Sequence, residues 1–261
     1  MKILLTNDDG IHAPGIIALH RAIADLGEVT VVAPSTVQSA AGHGITFHSP
    51  LMCRHVRVTD SMHGWSVDGR PADCTKVALR SLWQELHGKG SRPDVTISGM
   101  NVGANVGINV IYSGTVAAAV ESAFLGVPAI AVSLHIGDPP RTRFDRAAEI
   151  ARKAIDWVLE RPLEPHAVIN VNVPCTERDD LPMPPMRVVP MNTAPGIDAY
   201  EKRTSPGGQV YYWPSGNGME FTHTAEDTDV EALLDRAVTI TPLSFDLTDH
   251  VRLQGWRDRL R

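Results

Sequence analysis

The residues best suited to chemistry stand at the start of the chain. A short apolar run, Ile3-Leu4-Leu5, is followed at once by Asn7-Asp8-Asp9-Gly10. Neighbouring side chains on an extended strand point to opposite faces, so Asp8 and Asp9 converge only where the backbone bends, which Gly10 permits. Two carboxylates about 4 Å apart repel by roughly 4 kcal/mol at an effective dielectric near 20. A divalent cation between them relieves that repulsion. The alternative is purely structural, a turn leading into a helix whose N-terminus favours negative charge.

Two later loops carry complementary groups. Pro34-Ser35-Thr36-Val37-Gln38-Ser39-Ala40-Ala41-Gly42-His43-Gly44 is small and polar, with Ser39 offering a hydroxyl oxygen. His43 in the same loop is a candidate donor to a phosphate oxygen or a leaving group. In Ser98-Gly99-Met100-Asn101-Val102-Gly103-Ala104-Asn105-Val106-Gly107 the glycines let backbone approach a ligand, and Asn101 offers an amide oxygen. Further on, Ser113-Gly114-Thr115 opens a helical pattern, and free N–H groups flanked by hydroxyls suit a phosphate. Ser113 or Thr115 as an ordinary N-cap is the other reading. Together the loops present oxygen donors, which select Mg²⁺, Mn²⁺ or Ca²⁺ over zinc. Neither G-x-G-x-x-G nor G-x-x-x-x-G-K-[ST] occurs, so a dinucleotide cofactor or a P-loop is poorly supported.

These loops need a scaffold that brings them to one edge. Ile3 to Leu5, the helical pattern from Pro14 to Gly27, and the apolar run Glu28 to Ala33 read as a βαβ unit. The same grammar recurs: helix Asp73 to Leu86, strand Asp94 to Ile97, helix Thr115 to Leu125 before Gly126, and strand Val127 to Val132. Amphipathic Arg143 to Leu159 and strand Ala167 to Val173 follow. The fold class is therefore α/β, with a mainly parallel sheet covered by helices on both faces. Ligands of such sheets bind outside the carboxyl ends of the strands, where the loops above lie.

Beyond Pro174 proline and glycine become frequent. We take residues 1–185 as the catalytic core, 186–225 as an extended arm with Gln209 to Trp213 as one hairpin strand, and 226–261 as a C-terminal segment. That last segment holds helix Thr228 to Arg236 and strand Ala237 to Thr241, packing on the core or on a partner subunit. The 261 residues suffice for a sizeable core. With 43% hydrophobic and 21% charged residues, disorder and collagen-like repeats are excluded. A net charge of −6 gives no bulk attraction to nucleic acid or an anionic membrane. Cys53, Cys74 and Cys175 lack metal-site spacing and fit a reducing compartment, and no apolar run approaches membrane-span length, so a cytoplasmic location is expected.

The opening Ile3-Leu4-Leu5-Thr6-Asn7-Asp8-Asp9-Gly10-Ile11-His12-Ala13-Pro14-Gly15, the Ser39 loop, Ser98 to Asn105, and Tyr112-Ser113-Gly114-Thr115-Val116-Ala117-Ala118-Ala119 resemble the SurE nucleotidase family. So do Ile240-Thr241-Pro242-Leu243 and Asp246-Leu247-Thr248, and the resemblance runs almost the full length. It implies a Rossmann-like three-layer core and a metal-dependent phosphomonoesterase acting on nucleoside 5′- and 3′-monophosphates and, in some members, short polyphosphate. It also implies a homodimer or homotetramer built partly by exchange of C-terminal segments. Carried over by motif, Asp8, Asp9, Ser39 and Asn101 hold one divalent cation per subunit, Asp8 and Asp9 are catalytic, and Asn101, Ser113, Gly114 and Thr115 face the phosphate. Ala40 stands where the family usually has glycine, and Arg70 where threonine is usual.

The expected chemistry is in-line transfer of the phosphoryl group to a water whose pKa the cation lowers, with Asp8 or Asp9 as base; an aspartyl-phosphate route stays open. Two rivals are a non-catalytic nucleotide or phosphate sensor using the same cradle, and a nicotinamide-dependent oxidoreductase, which lacks its glycine fingerprint. Tyr211, Tyr212, Trp213 and Pro214 on the arm have little local core to cover them, which suits a partner subunit; the alternative is that the arm packs back on its own domain.

Overall fold

Alternation along the first strand already fixes a layered fold. In β1 (Lys2–Thr6) Ile3 and Leu5 enter one hydrophobic cluster and Leu4 another on the opposite face. The computed structural model describes residues 1–261 except 138, 179–180, 197–198, 216–217 and 261. The expected arm touches four of these excluded positions, which lie outside the described residues.

The chain continues with α1 (Pro14–Ile23), β2 (Glu28–Pro34), β3 (Cys53–Arg57), β4 (His63–Val67), α2 (Pro71–Val77), a π-helical turn (Ala78–Leu82) and α3 (Trp83–His87). Then come β5 (Val95–Val102), α4 (Asn109–Tyr112), α5 (Gly114–Phe124), β6 (Ala129–Leu134), a short 3₁₀ turn (Pro139–Arg141), α6 (Phe144–Leu159) and β7 (Val168–Val173). The last part holds β8 (Met186–Val188), β9 (Ala199–Thr204), β10 (Val210–Ser215), α7 (Asp229–Leu234), β11 (Val238–Leu243) and α8 (His250–Asp258).

The main sheet runs β3-β4-β2-β1-β5-β6-β7-β11-β8. From β4 to β7 every pairing is parallel, while β3 and β11 pair antiparallel with their neighbours β4 and β7. Counting only β1, β2, β4, β5, β6 and β7, the order is that of a dinucleotide-binding fold, with the direction of winding reversing between β1 and β5. One face is covered by α1 and α6, whose Ile16, Leu19, Ile23, Ile150, Ile155 and Val158 pack on Ile3, Ile97 and Val132. On the other face α2 and α5 cover Leu4, Val32, Ala129 and Ala131.

Several boundaries differ from the sequence reading. The helix expected over Asp73 to Leu86 begins at Pro71, where the proline sits in the first helical position, and is interrupted by the π turn. The strand expected to stop at Ile97 continues to Val102, with a register shift between Gly99 and Asn101, so Asn101 ends a strand instead of sitting in a loop. Strands β3 and β4 and helix α8 had no reading: β3 alternates weakly and lies at the sheet edge, and no residue of α8 is buried. The terminal strand expected over Ala237 to Thr241 is β11, and it enters the main sheet beside β7.

Candidate active site at the carboxyl ends of the strands

The switch point between β1 and β5 gathers the acidic pair. Asn7 Nδ2 donates to Gly10 O at 2.8 Å, and Gly10 adopts φ +94°, the bend its position required. Asp8 is buried, and Thr115 Oγ1 donates to its Oδ1 at 2.5 Å. The Val102 backbone N–H, at the end of β5, donates to Asp9 Oδ2 at 2.8 Å. Each carboxylate is thus fixed by a different element. Burial pushes Asp8 up to about 6, against the Thr115 hydrogen bond and with the Asp9 charge adding to the rise. Burial also raises Asp9, opposed by the Val102 N–H. Among the described residues no lysine or arginine pairs with either carboxylate.

Gly114 explains how α5 reaches this pair. A Cβ at 114 would sit 2.8 Å from Asp8 Cβ and 3.0 Å from Pro71 Cγ, closer than packed carbons tolerate. Ser113 caps the helix, its Oγ accepting from the Val116 N–H at 3.0 Å. The N-cap alternative therefore holds for Ser113, while the Thr115 hydroxyl is spent on Asp8.

The Ser39 loop is laid over the same edge by its backbone. Gln38 N donates to Asp8 O at 2.8 Å and Gly42 N to Tyr112 O at 3.0 Å. Between them Ala40 takes φ +53°, the left-handed region where a glycine carries no penalty. Asp8, exposed Ser39, Asn101 and Ser113 line one cavity of about 380 Å³, whose remaining wall includes Asn105, Asn109, Tyr112, His135, Ile136 and Met219. Asn101 Nδ2 donates to Gly103 O at 2.6 Å, which leaves its Oδ1 for another partner. Asp9 is held beside Val102, and Thr115 is buried behind Asp8.

His43 departs from its expected place. Its Nε2 lies 2.8 Å from Glu121 Oε2, and the ring lines a separate, largely apolar cavity of about 920 Å³. Lys76 Nζ completes the cluster at 3.2 Å from Glu121 Oε1. The carboxylate of a buried helix position thus takes the imidazole away from the oxygen-rich cavity. Arg70 lies along Gly44 and donates its backbone N–H to Asp73 Oδ2 at 3.0 Å, outside the cavity wall.

Sequence reasoning missed the supports. Asn105 N donates to Asn172 Oδ1 at 2.8 Å, Asn105 Nδ2 to Ser133 Oγ at 2.7 Å, and Asn170 Nδ2 to Asn105 O at 2.8 Å, all buried. Asp229, at the start of α7, accepts from Gly107 N at 2.9 Å and from Asn192 N at 2.8 Å. The signal for the first network was present: Asn170 and Asn172 interrupt an otherwise apolar strand, and buried amides need partners.

The fold and crevice define a class, α/β proteins with a ligand-sized crevice at the switch point of a mainly parallel sheet. A family profile described as Survival protein SurE matches residues 3–194, and the chain belongs to that family. A relative from Rhodopirellula baltica named 5′-nucleotidase SurE is 44% identical, the alignment covering 99% of this chain and 98% of the relative. One of the same name from Heliobacterium modesticaldum is 42% identical over 100% of this chain and 92% of its own. The crystal structure of the SurE protein from Aquifex aeolicus superposes with a TM-score of 0.82 at 32% identity, covering 100% of both chains.

Proposed function

We propose that this chain hydrolyses nucleoside 5′-monophosphates, and 3′-monophosphates by the same chemistry, to nucleoside and phosphate with one divalent cation per subunit. The observation that carries the reading is a pair of desolvated carboxylates with no cationic side-chain partner among the described residues, one of them on a cavity wall with Ser39, Asn101 and Ser113. The oxygen donors of Asp8, Asp9, Ser39 and Asn101 fit Mg²⁺, Mn²⁺ or Ca²⁺. Bound there, the cation would act as a Lewis acid on a phosphoryl oxygen and acidify a water.

The protein's own part is position. Thr115 and Val102 hold the two carboxylates, and the Ser113 hydroxyl on the cavity wall is placed to donate to a phosphate oxygen while water attacks in line with the leaving group. One of the two carboxylates takes the proton of the attacking water. The relatives' shared name, 5′-nucleotidase, supports the substrate class. Phosphate release from a panel of 5′- and 3′-nucleotides and tripolyphosphate, with each cation returned to chelator-stripped protein, tests it. Turnover with 5′-nucleotides that needs the added cation is expected; nucleotide binding with no phosphate released by any cation would make the chain a sensor instead.

The arm and tail complete the reading as assembly elements. Tyr200, Tyr212 and Trp213 are more than half exposed, and Leu247, Val251 and Leu260 are at least 90% exposed. Such apolar surface suits burial in a homodimer or homotetramer. Three free cysteines fit a cytoplasmic location, and no described helix is long and apolar enough to cross a membrane.

A further inference from the structure

One ring on the cavity wall has no task in the chemistry above. His135 follows the end of β6, its backbone N–H donating to Val173 O at 2.8 Å, while neighbouring Leu134 O accepts from Gly103 N at 2.9 Å. This places it beside the segment that follows Asn101, and it lines the same cavity as Asp8, Asn101 and Ser113. Among the described residues no hydrogen bond to either ring nitrogen is found. The charged groups that act on the ring are Glu177 and Arg236. Burial, the larger influence, holds the imidazole below its ordinary value, so near neutral pH it carries one N–H donor and one bare acceptor nitrogen.

A neutral donor–acceptor ring is a poor partner for a dianionic phosphate and a good one for a hydroxyl or an amide edge. The cavity, about 380 Å³, lies near the lower end of the roughly 300–1,000 Å³ of small-molecule sites, which suits a mononucleotide. Asp8, Asn101 and Ser113 share this one cavity with His135, Ile136, Asn109, Tyr112 and Met219, so a nucleotide whose phosphate meets the first three is enclosed by the wall that carries His135. We propose that the His135 imidazole hydrogen-bonds the nucleoside portion of the substrate, making it a specificity residue of this site. This rests on the phosphomonoesterase reading.

The test compares wild type with His135→Phe, which keeps the ring's bulk without its nitrogens, and His135→Gln, which returns a donor and an acceptor. Loss of one neutral hydrogen bond predicts roughly a three- to tenfold fall in kcat/KM for nucleoside monophosphates in His135→Phe, carried by KM, with His135→Gln falling less. Inhibition by inorganic phosphate, which lacks a nucleoside, stays unchanged in both. Ribose 5-phosphate as a competing substrate separates the contacts: a shared loss puts the hydrogen bond on the sugar, a loss confined to nucleotides puts it on the base. Wild-type kinetics in His135→Phe, or an equal weakening of inorganic phosphate, overturns the assignment of His135. Wild type that releases phosphate from no ester overturns the enzymatic reading itself.

Discussion

The strand-end crevice and the β9–β10 arm are both polar, glycine-punctuated stretches, yet they are held by different forces. In the crevice, segments up to 122 residues apart in sequence meet through buried hydrogen bonds, as between Gly107 and Asp229. In the arm, every residue of both strands is exposed, and the ladder from Ala199–Ser215 to Thr204–Val210 carries the structure with help from an Arg203–Glu201 ion pair and Arg203 stacked 5.5 Å over Trp213. A two-stranded ribbon of that kind is marginal alone in water. The crevice is therefore tied together across distant segments of one chain, while the strands of the arm pair only with each other and stand exposed.

The sharpest way to break this contrast is at Asp8. Asp8→Asn should lower phosphate release by about 10²–10³-fold or more, as loss of a charge-stabilising group does, while its melting temperature falls no lower than wild type because a buried charge is removed. Near-normal turnover in both Asp8→Asn and Asp9→Asn would dissolve the site. Gly114→Ala comes next: the new methyl must displace Asp8 or Pro71, an overpacking cost of about 1–3 kcal/mol, so kcat/KM should fall at least tenfold with only a modest loss of stability in thermal melts. For the arm, Tyr212→Ser combined with Trp213→Ser should reduce the particle mass in light scattering and leave the monomer's melting temperature within a few degrees. An unchanged mass would mean the arm's aromatics are not the assembly contact.

Smaller effects test how the Ser39 loop is tied down. Burial tends to raise Glu121, but hydrogen bonds from His43 and Lys76 outweigh it and hold the carboxyl below its ordinary 4.5. A depressed carboxyl stabilises the fold above that ordinary value, and the gain is lost as pH falls through the folded-state value. Wild type should therefore exceed Glu121→Gln in chemical denaturation at neutral pH by about 1 kcal/mol or less, given that Lys76 is half exposed and screened. The difference should vanish in acid. Smallest is Ala40→Gly: relief of left-handed strain, about 1–2 kcal/mol, less the roughly 0.4–1 kcal/mol that glycine adds to unfolded-chain entropy, leaves a gain between about zero and about 1.6 kcal/mol. A loss of stability would mean the Ala40 methyl makes contacts that outweigh its strain.

Periodicity alone located most of the scaffold. The amphipathic spacing of Ala147, Ile150, Ala151, Ala154, Ile155 and Val158 corresponds to α6, and the apolar runs ahead of Asp8 and after Gly126 correspond to β1 and β6. The bend at Gly10 was also legible, because φ +94° lies in the left-handed region that favours glycine. His43 shows the limit. Its position near Ser39 in the chain pointed toward the phosphate, but Glu121, 78 residues later, holds the ring on another cavity. Edge strands β3 and β8 were silent because half-exposed strands need no strict alternation.

What the sequence determined by itself was most of the buried elements, the presence of oxygen-bearing side chains at Asp8, Asp9, Ser39 and Asn101, and the family resemblance, since these depend on local spacing and residue type. Tertiary structure alone decided which hydroxyl serves which carboxylate, why residue 114 must lack a side chain, and which polar groups beneath the loops are paired. Those outcomes depend on contacts between segments far apart in the chain, where burial makes every unpaired charge or amide costly and so selects one arrangement.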